Sequence, residues 1–420
     1  MFELLGRCVL VSLGLALAAC SQLPPLTAPV PGDPITINQV PTGSIQVPSL
    51  CERVSTDTRV THTGVDSFAF VWAGDHYVVV YADLTSQDIF VVQLGADGAP
   101  RSTPVAVEAT PGSSRLPSII VTPTGYVVAW EDQESEATVR VHALDLAAQP
   151  VGEGHTVATG RSAQMRPVLA GSPLGVAISW MDQAPLDLNN ETDVGDSSTY
   201  VGVLDEQLAL RAMPAPSQVH PKSRSGYPWL AGDAHGLGLL WSDNVSGQTD
   251  AYFSSVDDQM TLPAAQDVRG PDAVNAALLG RLALTDAGYL AAWEDLRSGE
   301  TEIYTSVLAP TGERYAGGLV EEPNTGNANW PHIASGGSAS AIVYYQYRGG
   351  RPQIFLTFID ANGARIGGSA DAQISNTPAR ARFPDVAYTG NEFGVLWLDA
   401  RDTTTELYFN HVDCKRPAPI

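Results

Sequence analysis

Six aspartates recur along the chain, each two residues after an aromatic side chain. They are Asp83, Asp132, Asp182, Asp243, Asp295 and Asp399. Such carboxylates could bind a ligand directly, or each could accept backbone N–H groups and cap the turn that follows it. We predict the turn-capping role, because the expected strand register places Arg115 opposite Asp132. The same register places Arg382 opposite Asp399, and opposite charges facing each other across antiparallel strands stabilise the pair by roughly 0.2–1 kcal/mol.

An acidic segment offers side chains for a divalent cation. Residues 187–196 read DLNNETDVGD, with oxygen-bearing side chains at every second position in Asp187, Asn189, Glu191 and Asp193. Ca²⁺ is bound by several such oxygens in a loop. The match to the EF-hand loop is incomplete, because Thr192 stands where that loop needs glycine and no glutamate follows at its twelfth position. We therefore predict a solvated acidic loop and no cofactor, and Ca²⁺ bound by these four side chains is the alternative.

Arginine and aromatic residues stand in segments that lead into repeating strands. They are Arg115, Arg166, Tyr227, Trp330, Arg382 and Phe383. These residue types dominate the binding energy of protein interfaces. If the segments meet around one opening, their side chains form a ligand-binding surface. The alternative is that they pack beneath the rim of the fold as structural residues.

A repeat organises most of the chain. Apolar runs end in an aromatic residue at Tyr81, Trp130, Trp180, Trp241, Trp293, Tyr344 and Trp397, at intervals of 49, 50, 61, 52, 51 and 53 residues. Thirteen residues before the aromatic, five of the seven copies have a proline, which suits an edge strand because it lacks an N–H. Turn signals and alternating runs complete four strands per copy, without a long stretch of helical period. The sequence therefore predicts an all-β fold, a seven-bladed β-propeller of four-stranded antiparallel blades over residues 51–420.

The repeat resembles the propeller superfamily of bacterial surface lipoproteins with Trp-x-Asp-x-Arg repeats. Its best copies are residues 293–297 (WEDLR) and 397–401 (WLDAR), and the resemblance covers residues 51–414. It implies binding near the mouth of a central channel. Residues 114–117 (SRLP) and 381–384 (ARFP) also resemble the Arg-x-Pro of sialidases, whose arginine binds a substrate carboxylate. The sialidase pattern is incomplete, because residues 285–288 (TDAG) lack the tryptophan of an Asp-box and no nucleophilic Tyr–Glu pair can be placed.

The two ends of the repeat region are expected to meet. The last copy stops after its third strand, at Cys414, and the segment around Cys51 stands where a fourth strand would lie. We therefore predict that the N- and C-terminal segments share a blade and close the ring. The chain has four cysteines, and the other two, Cys8 and Cys20, belong to the N-terminal export signal described next. In an exported protein Cys51 and Cys414 are therefore expected to form a disulfide, and two buried free thiols are the alternative.

The N-terminus predicts export and lipid anchoring. An apolar run ends in residues 17–20 (LAAC), which resembles the lipobox of bacterial lipoproteins and implies a signal peptide at 1–19 with lipidation of Cys20. Ordinary signal-peptidase cleavage at the same small residues is the alternative. Ser21 implies, by the same resemblance, sorting to the outer membrane. Seven prolines between residues 21 and 50 predict an extended tether, so residues 20–50 are expected to be a lipid-anchored linker.

Composition and motifs narrow the function. A formal net charge of −23 repels nucleic acid, so nucleic acid is not expected as a partner. The sequence contains no Gly-x-Ser-x-Gly, His-Glu-x-x-His or phosphate-loop motif. We predict a monomeric, non-catalytic binding or scaffolding propeller, tethered to the bacterial outer membrane by its lipid, with an envelope protein or an extracellular glycan as partner. A sialidase-like glycan hydrolase and a purely structural envelope component are the alternatives.

Overall fold

The computed structural model describes residues 51–53, 56–134, 136–157, 163–183, 197–211, 217–218, 224–257, 261–262, 265–269, 277–321, 327–336, 339–366 and 371–414. These residues form strands, turns and bends, and none of them lies in a helix that could cross a membrane. The signal peptide predicted at 1–19, the tether at 20–50 with Cys20, and the acidic segment with Asp187, Asn189, Glu191 and Asp193 lie outside the described residues. The lipid anchor and the solvated acidic loop therefore stay predictions, with Ca²⁺ binding as the alternative for the loop.

The described residues form 29 strands in seven sheets. Two short strands come first, β1 Cys51–Arg53 and β2 Thr58–Arg59. Blade 1 contains β3 Val65–Trp72, β4 Tyr77–Asp83, β5 Ile89–Leu94 and β6 Val105–Glu108. Blade 2 contains β7 Ser113–Thr122, β8 Gly125–Gln133, β9 Ala137–Asp145 and β10 Pro150–Thr156. Blade 3 contains β11 Ala163–Ser172, β12 Gly175–Gln183, β13 Ser197–Val203 and β14 Ser217–Gln218.

The remaining four blades follow the same order. Blade 4 contains β15 Ser225–Asp233, β16 Gly236–Asp243, β17 Asp250–Val256 and β18 Gln266–Asp267. Blade 5 contains β19 Ala277–Thr285, β20 Gly288–Asp295, β21 Glu302–Leu308 and β22 Arg314–Ala316. Blade 6 contains β23 Ala328–Ser335, β24 Ala339–Arg348, β25 Arg351–Asp360 and β26 Ala372–Gln373. Blade 7 contains β27 Ala381–Tyr388, β28 Glu392–Asp399 and β29 Glu406–Cys414, joined by β1 and β2.

The seven sheets form a closed ring. Strands within a blade pair in antiparallel fashion in chain order, and the first strand of each blade contacts the first strand of the next. The series closes because β27 of blade 7 contacts β3 of blade 1. The prediction of a seven-bladed β-propeller of four-stranded antiparallel blades is confirmed, and the five recurring prolines lie on the innermost strands as expected.

The core lies between neighbouring blades. The second strands are continuous apolar runs because both of their faces are covered, and every residue of β4 is buried. Trp130 of blade 2, for example, packs in one cluster with Val78 and Val80 of blade 1. Aromatic residues bury about 150–250 Å² each, so one per blade supplies much of the packing between sheets. Five such tryptophans are fully buried, at Trp130, Trp180, Trp241, Trp293 and Trp397.

Blade 7 is completed by the N-terminal segment, which confirms that the chain ends share a blade. β1 and β2 both pair with β29, and the register places Cys51 opposite Cys414. Directly paired residues on antiparallel strands have Cα atoms about 4.5–5.5 Å apart, a span that suits a disulfide. The side chains of these two cysteines are outside the described set, so the bridge stays a prediction. The closure also includes the buried carboxylate of Glu406, which accepts a hydrogen bond from Thr61 at 2.7 Å.

A β-bulge interrupts the pairing of the first two strands in every blade. In blade 2, Leu116 and Pro117 together oppose Trp130, so two residues face one. We call the residue before the proline position in blades 2 to 7 the bulge residue. The bulge residues are Leu116, Arg166, Tyr227, Leu279, Trp330 and Phe383, and each has a positive φ between 50° and 57°.

The bulge overturns part of the predicted register. The observed pairs beyond it are Arg115 with Glu131, Met165 with Met181, and Arg382 with Leu398. The predicted pairing of Arg115 with Asp132 is wrong because the extra residue shifts the strand by one position. For the same reason Arg382 does not face Asp399. Arg166 lies within the bulge itself.

Four of the six recurring aspartates cap turns, as predicted, namely Asp83, Asp243, Asp295 and Asp399. Asp132 instead accepts hydrogen bonds from the hydroxyl groups of Thr110 and Ser114. Oδ1 of Asp83 accepts the backbone N–H groups of Thr85 and Ser86 at 2.9 and 2.8 Å. Three of these carboxylates also accept the indole N–H of the repeating tryptophan, in the pairs Trp241 with Asp243, Trp293 with Asp295 and Trp397 with Asp399. In these three blades the Trp-x-Asp spacing is therefore explained by turn geometry.

Candidate functional site

One residue from each innermost strand forms a ring around the central channel. This channel ring consists of Ala69, Ser118, Val168, Trp229, Arg281, His332 and Asp385, each twelve residues before the repeating aromatic. Blades 1 to 3 contribute only small side chains. Blades 4 to 7 contribute an indole, a guanidinium, an imidazole and a carboxylate. We call the side of the channel at blades 1 to 3 the open wall, because its small side chains leave space. The side at blades 4 to 7 has the aromatic and charged or titratable groups.

The bulge residues and the channel ring together line a cavity of about 320 Å³ at one end of the channel. We call this cavity the mouth. Bulges redirect side chains, and non-glycine residues with positive φ cost of order 1–3 kcal/mol each. Four of the six predicted surface residues meet here, namely Arg166, Tyr227, Trp330 and Phe383.

The other two predicted residues lie outside the mouth. The exposed Arg115 forms an ion pair with the buried carboxylate of Glu131, with Nη2 and Oε1 separated by 2.6 Å. Nη2 of Arg382 donates to the hydroxyl of Tyr347 at 2.7 Å. Each arginine stands one position before a bulge residue, so the bulge does not turn its side chain into the cavity.

Aromatic and cationic groups contact each other within the mouth. The Arg166 guanidinium lies over the Tyr227 ring, 4.6 Å from its centroid. The rings of Trp330 and Phe383 pack edge to face at 4.9 Å. These contacts hold the side chains at the opening, where Tyr227 is exposed and the other three are half-buried.

Hydrogen bonds between neighbouring blades fix three of the bulges. In each, a side chain of the preceding blade accepts the backbone N–H of the bulge residue, in the pairs Leu116 to Ser67 (2.8 Å), Arg166 to Glu131 (3.4 Å) and Trp330 to Glu294 (2.7 Å). Burial raises the pKa of Glu294, and the Trp330 N–H and the Arg281 charge oppose that shift. The strained backbone of these three bulge residues is therefore held by side chains of the preceding blade.

A hydrogen-bonded series crosses blades 5, 6 and 7 at the base of the mouth. Nε of Arg281 donates to Nε2 of His332 at 2.8 Å, and Nδ1 of His332 lies 2.7 Å from Oδ1 of Asp385. Because a guanidinium can only donate, Nε2 must accept and the imidazole proton must be on Nδ1. Burial lowers the pKa of His332, and the Arg281 cation adds to that shift while Asp385 opposes it. His332 is therefore neutral near pH 7 and joins a cation to a carboxylate.

The opposite end of the channel opens into a second cavity of about 620 Å³. Its outer lining includes Asp233, His235 and Asp286. It shares His332 and Asp385 with the mouth, so the channel ring separates the two cavities. Within the described residues, no group of three or more histidine, cysteine, aspartate or glutamate side chains is arranged to hold a metal ion.

The mouth contains groups that can stack on a ligand and groups that can donate charged hydrogen bonds. Tyr227, Trp330 and Phe383 offer ring faces and edges, and Arg166 and Arg281 offer guanidinium donors. The carboxylates that line it are Asp66, which is exposed, and Asp385, which accepts from His332. This is the aromatic and arginine composition expected of a binding surface.

The channel ring was not predicted from the sequence. Trp229, Arg281, His332 and Asp385 look unrelated along the chain, since each is separated from the next by roughly one repeat. Their common position emerges only when the seven copies are aligned on the repeating aromatic. In that column, charged and aromatic residues occur in blades 4 to 7 alone.

Comparisons with known proteins identify the fold. No family model matches the chain, and no curated protein matches it. A puromycin hydrolase crystal structure superposes with a TM-score of 0.54 at 13% identity, over 86% of this chain and 55% of that one. The phage phi92 endosialidase superposes with a TM-score of 0.52 at 10% identity, over 87% of this chain and 70% of the other. The chain spans about half the length of the puromycin-hydrolysing proteins it matches. At these identities the similarity extends to the propeller fold alone.

Proposed function

We propose that this chain is a binding propeller of the bacterial cell envelope that holds a protein or glycan partner at the mouth. The observation that supports it most is the set of six bulge residues, which keep positive φ values and line the same cavity. Backbone strain that recurs at one place in a fold is typical of functional sites. A purely structural ring has no need to repeat that strain around its opening.

The size and lining of the mouth suit part of a larger partner. A volume of about 320 Å³ lies at the lower end of the range for small-molecule pockets, so it accommodates one sugar unit or one large side chain. The faces of Tyr227 and Trp330 would stack on such a group, and Arg166 would donate hydrogen bonds to it. Stacking aromatics and arginines are the residues that supply most of the binding energy at protein interfaces.

The proposal includes the location inferred from the sequence. Lipidation of Cys20 would tether the propeller to the outer membrane through the proline-rich segment at 20–50. A disulfide between Cys51 and Cys414 would then secure the ring in an oxidising compartment. The chain would act as a monomer, since its partner surface faces the solvent around the channel.

A glycan hydrolase is the second candidate, and the His332–Asp385 pair in the channel is the observation that favours it. Against it, Nε2 of His332 accepts from Arg281 and is therefore occupied. A hydrolase would release product from a glycan that it binds. A binding propeller would retain the glycan unchanged, and a purely structural component would bind no partner at the mouth.

The test is capture by the purified full chain on a glycan array and from envelope protein extracts. We expect Trp330→Ala and Tyr227→Ala to lose the captured partner. The matched control is Tyr315→Ala, because Tyr315 is an exposed tyrosine (62%) on the outer strand β22. Equal capture by all three variants would contradict the proposal, and release of shortened glycan would favour the hydrolase.

A further inference from the structure

Arg281 is a buried cation that has no carboxylate within ion-pair distance among the residues that the structure describes. Its side chain lies on the channel ring with the residue 7% exposed. Burial lowers the pKa of its guanidinium to about 10, so it stays charged near neutral pH. A buried charge is costly unless hydrogen bonds or an opposite charge compensate it. Within the described part of the chain, the hydrogen-bonded path from Arg281 to Asp385 runs through His332.

The donors of Arg281 are unequally used. Nε donates to His332, and Nη1 donates to the carbonyl oxygens of Gly280 and Leu279 at 3.1 and 3.4 Å. Among the described residues, Nη2 has no hydrogen-bond partner, although Arg281 lines the mouth. A guanidinium has five N–H donors in a planar fork. The two on Nη2 are therefore available to a group that enters the cavity.

The guanidinium is held in a fixed orientation. It lies 4.2 Å from the centroid of the Trp229 ring and 5.4 Å from that of Trp330. The bond to His332 fixes it within its plane, and Asp385 in turn fixes the imidazole. A pre-organised fork loses little conformational freedom on binding, which favours recognition of a planar or tetrahedral oxyanion.

The rest of the mouth agrees with an anionic occupant. Arg166, the second cation of the lining, has no acidic partner for its guanidinium within the described part of the chain. The open wall across the channel from Arg281 consists of small residues such as Ala69 and Ser118, which leave room for the incoming group. Of the two lining carboxylates, Asp385 is hydrogen-bonded by His332 and the backbone of Val386, and Asp66 is exposed at the rim.

We propose that Arg281 forms an oxyanion subsite at the base of the mouth, with Arg166 as a second contact and with His332 and Asp385 as positioning residues. The group bound there is a compact oxyanion, that is a carboxylate, a sulfate or a phosphate. This inference rests on the proposed function, because it specifies the chemistry of the partner that the mouth receives.

The test is a calorimetric titration of the full chain with sodium acetate, sodium sulfate and sodium phosphate in separate arms, against sodium chloride at equal ionic strength. We expect saturable binding of at least one oxyanion with a dissociation constant of about 1 mM or tighter. The arm that binds best identifies the source of the oxyanion. Arg281→Gln should weaken that binding by about tenfold or more, because a charge-assisted hydrogen bond is lost. Arg101→Gln is the control, since Arg101 is exposed and lies outside the mouth.

A second pair of variants keeps the test valid if Arg281→Gln does not fold. Ala69 is half-buried on the open wall, and glutamate and glutamine introduced there differ in charge but hardly in size. Ala69→Glu should abolish oxyanion binding while Ala69→Gln retains more of it. Absence of saturable binding in the wild type, or equal binding by the Glu and Gln variants, would overturn the subsite. If oxyanions fail to bind but partner capture still requires Trp330, the proposed function stands without the subsite.

Discussion

His332 joins two opposite charges at the centre of the molecule. It is neutral because Nε2 accepts from Arg281 while Nδ1 donates to Asp385. Protonation of Nε2 would place two donors against each other and break the bond to Arg281. The orientation of the guanidinium in the mouth therefore depends on the protonation state of one buried imidazole.

Acidification should destabilise the protein through His332. Burial and the Arg281 cation lower its pKa below the ordinary value of 6.5, so the folded state binds fewer protons than the unfolded state in that range. Stability then rises with pH up to about 6.5 and falls as the pH is lowered through the window beneath it. In thermal melts between about pH 5 and pH 7.5, the melting temperature should fall more steeply with decreasing pH for the wild type than for His332→Gln. Parallel curves for the two proteins would contradict the neutral, buried imidazole.

At the scale of single strands, the β-bulge is the element that creates the mouth. It inserts one residue before each proline and gives that residue a positive φ. A bulky side chain is strained in this conformation, whereas glycine is not.

Glycine should therefore be tolerated at a bulge position better than alanine. We expect Leu116→Gly to be more stable than Leu116→Ala by up to about 1 kcal/mol, because φ at Leu116 is 50°. Ser118, two residues further along β7 and outside the positive-φ set, is the matched control, and there Ser118→Gly should be less stable than Ser118→Ala. Chemical denaturation of the four variants measures both differences. If the difference in stability between the Gly and Ala variants had the same sign at both positions, the bulge would not be strained.

The blades could be predicted from the sequence, because the same packing and strand pairing recur in every copy. The repeating aromatic residue reflects the packing, and Pro117 and its equivalents mark the edge strand. It predicted Arg166 and Trp330 at the opening, since the proline after each marks the innermost strand. It failed at Arg115, because a bulge shifts the register by one residue and has no separate signal in an Arg-x-Pro sequence. It also missed Arg281, whose neighbour Gly280 replaces the proline and whose role depends on residues in two other blades.

At the scale of the whole molecule, closure of the ring depends on segments from the two ends of the chain. The register opposes Cys51 and Cys414, and a disulfide there would close a very long loop. The chain-entropy model gives about 6 kcal/mol as an upper estimate for such a loop. We expect reduction, or Cys51→Ala, to lower the melting temperature while the circular dichroism spectrum at room temperature is retained. Mass spectrometry of non-reduced peptides that finds both thiols free would contradict the bridge.

Anchoring is a separate property of the whole chain. If Cys20 is lipidated, Cys20→Ala should move the protein from membrane fractions to the supernatant in detergent-free buffer, because the variant lacks the thiol that carries the lipid. Fractionation of cells expressing the two forms measures this directly. A Cys20→Ala protein that still sediments with membranes would contradict the lipid anchor.

Binding of the partner at the mouth can be measured by comparing dissociation constants. For the partner captured by the wild type, we expect Arg166→Ala to weaken binding by at least about tenfold, a loss of roughly 1.4 kcal/mol. Arg101→Ala, which removes an exposed arginine away from the channel, should bind as the wild type does. Both variants should melt within a few degrees of the wild type, because each replaces a side chain at the surface or rim. Equal dissociation constants for the wild type and Arg166→Ala would contradict the account.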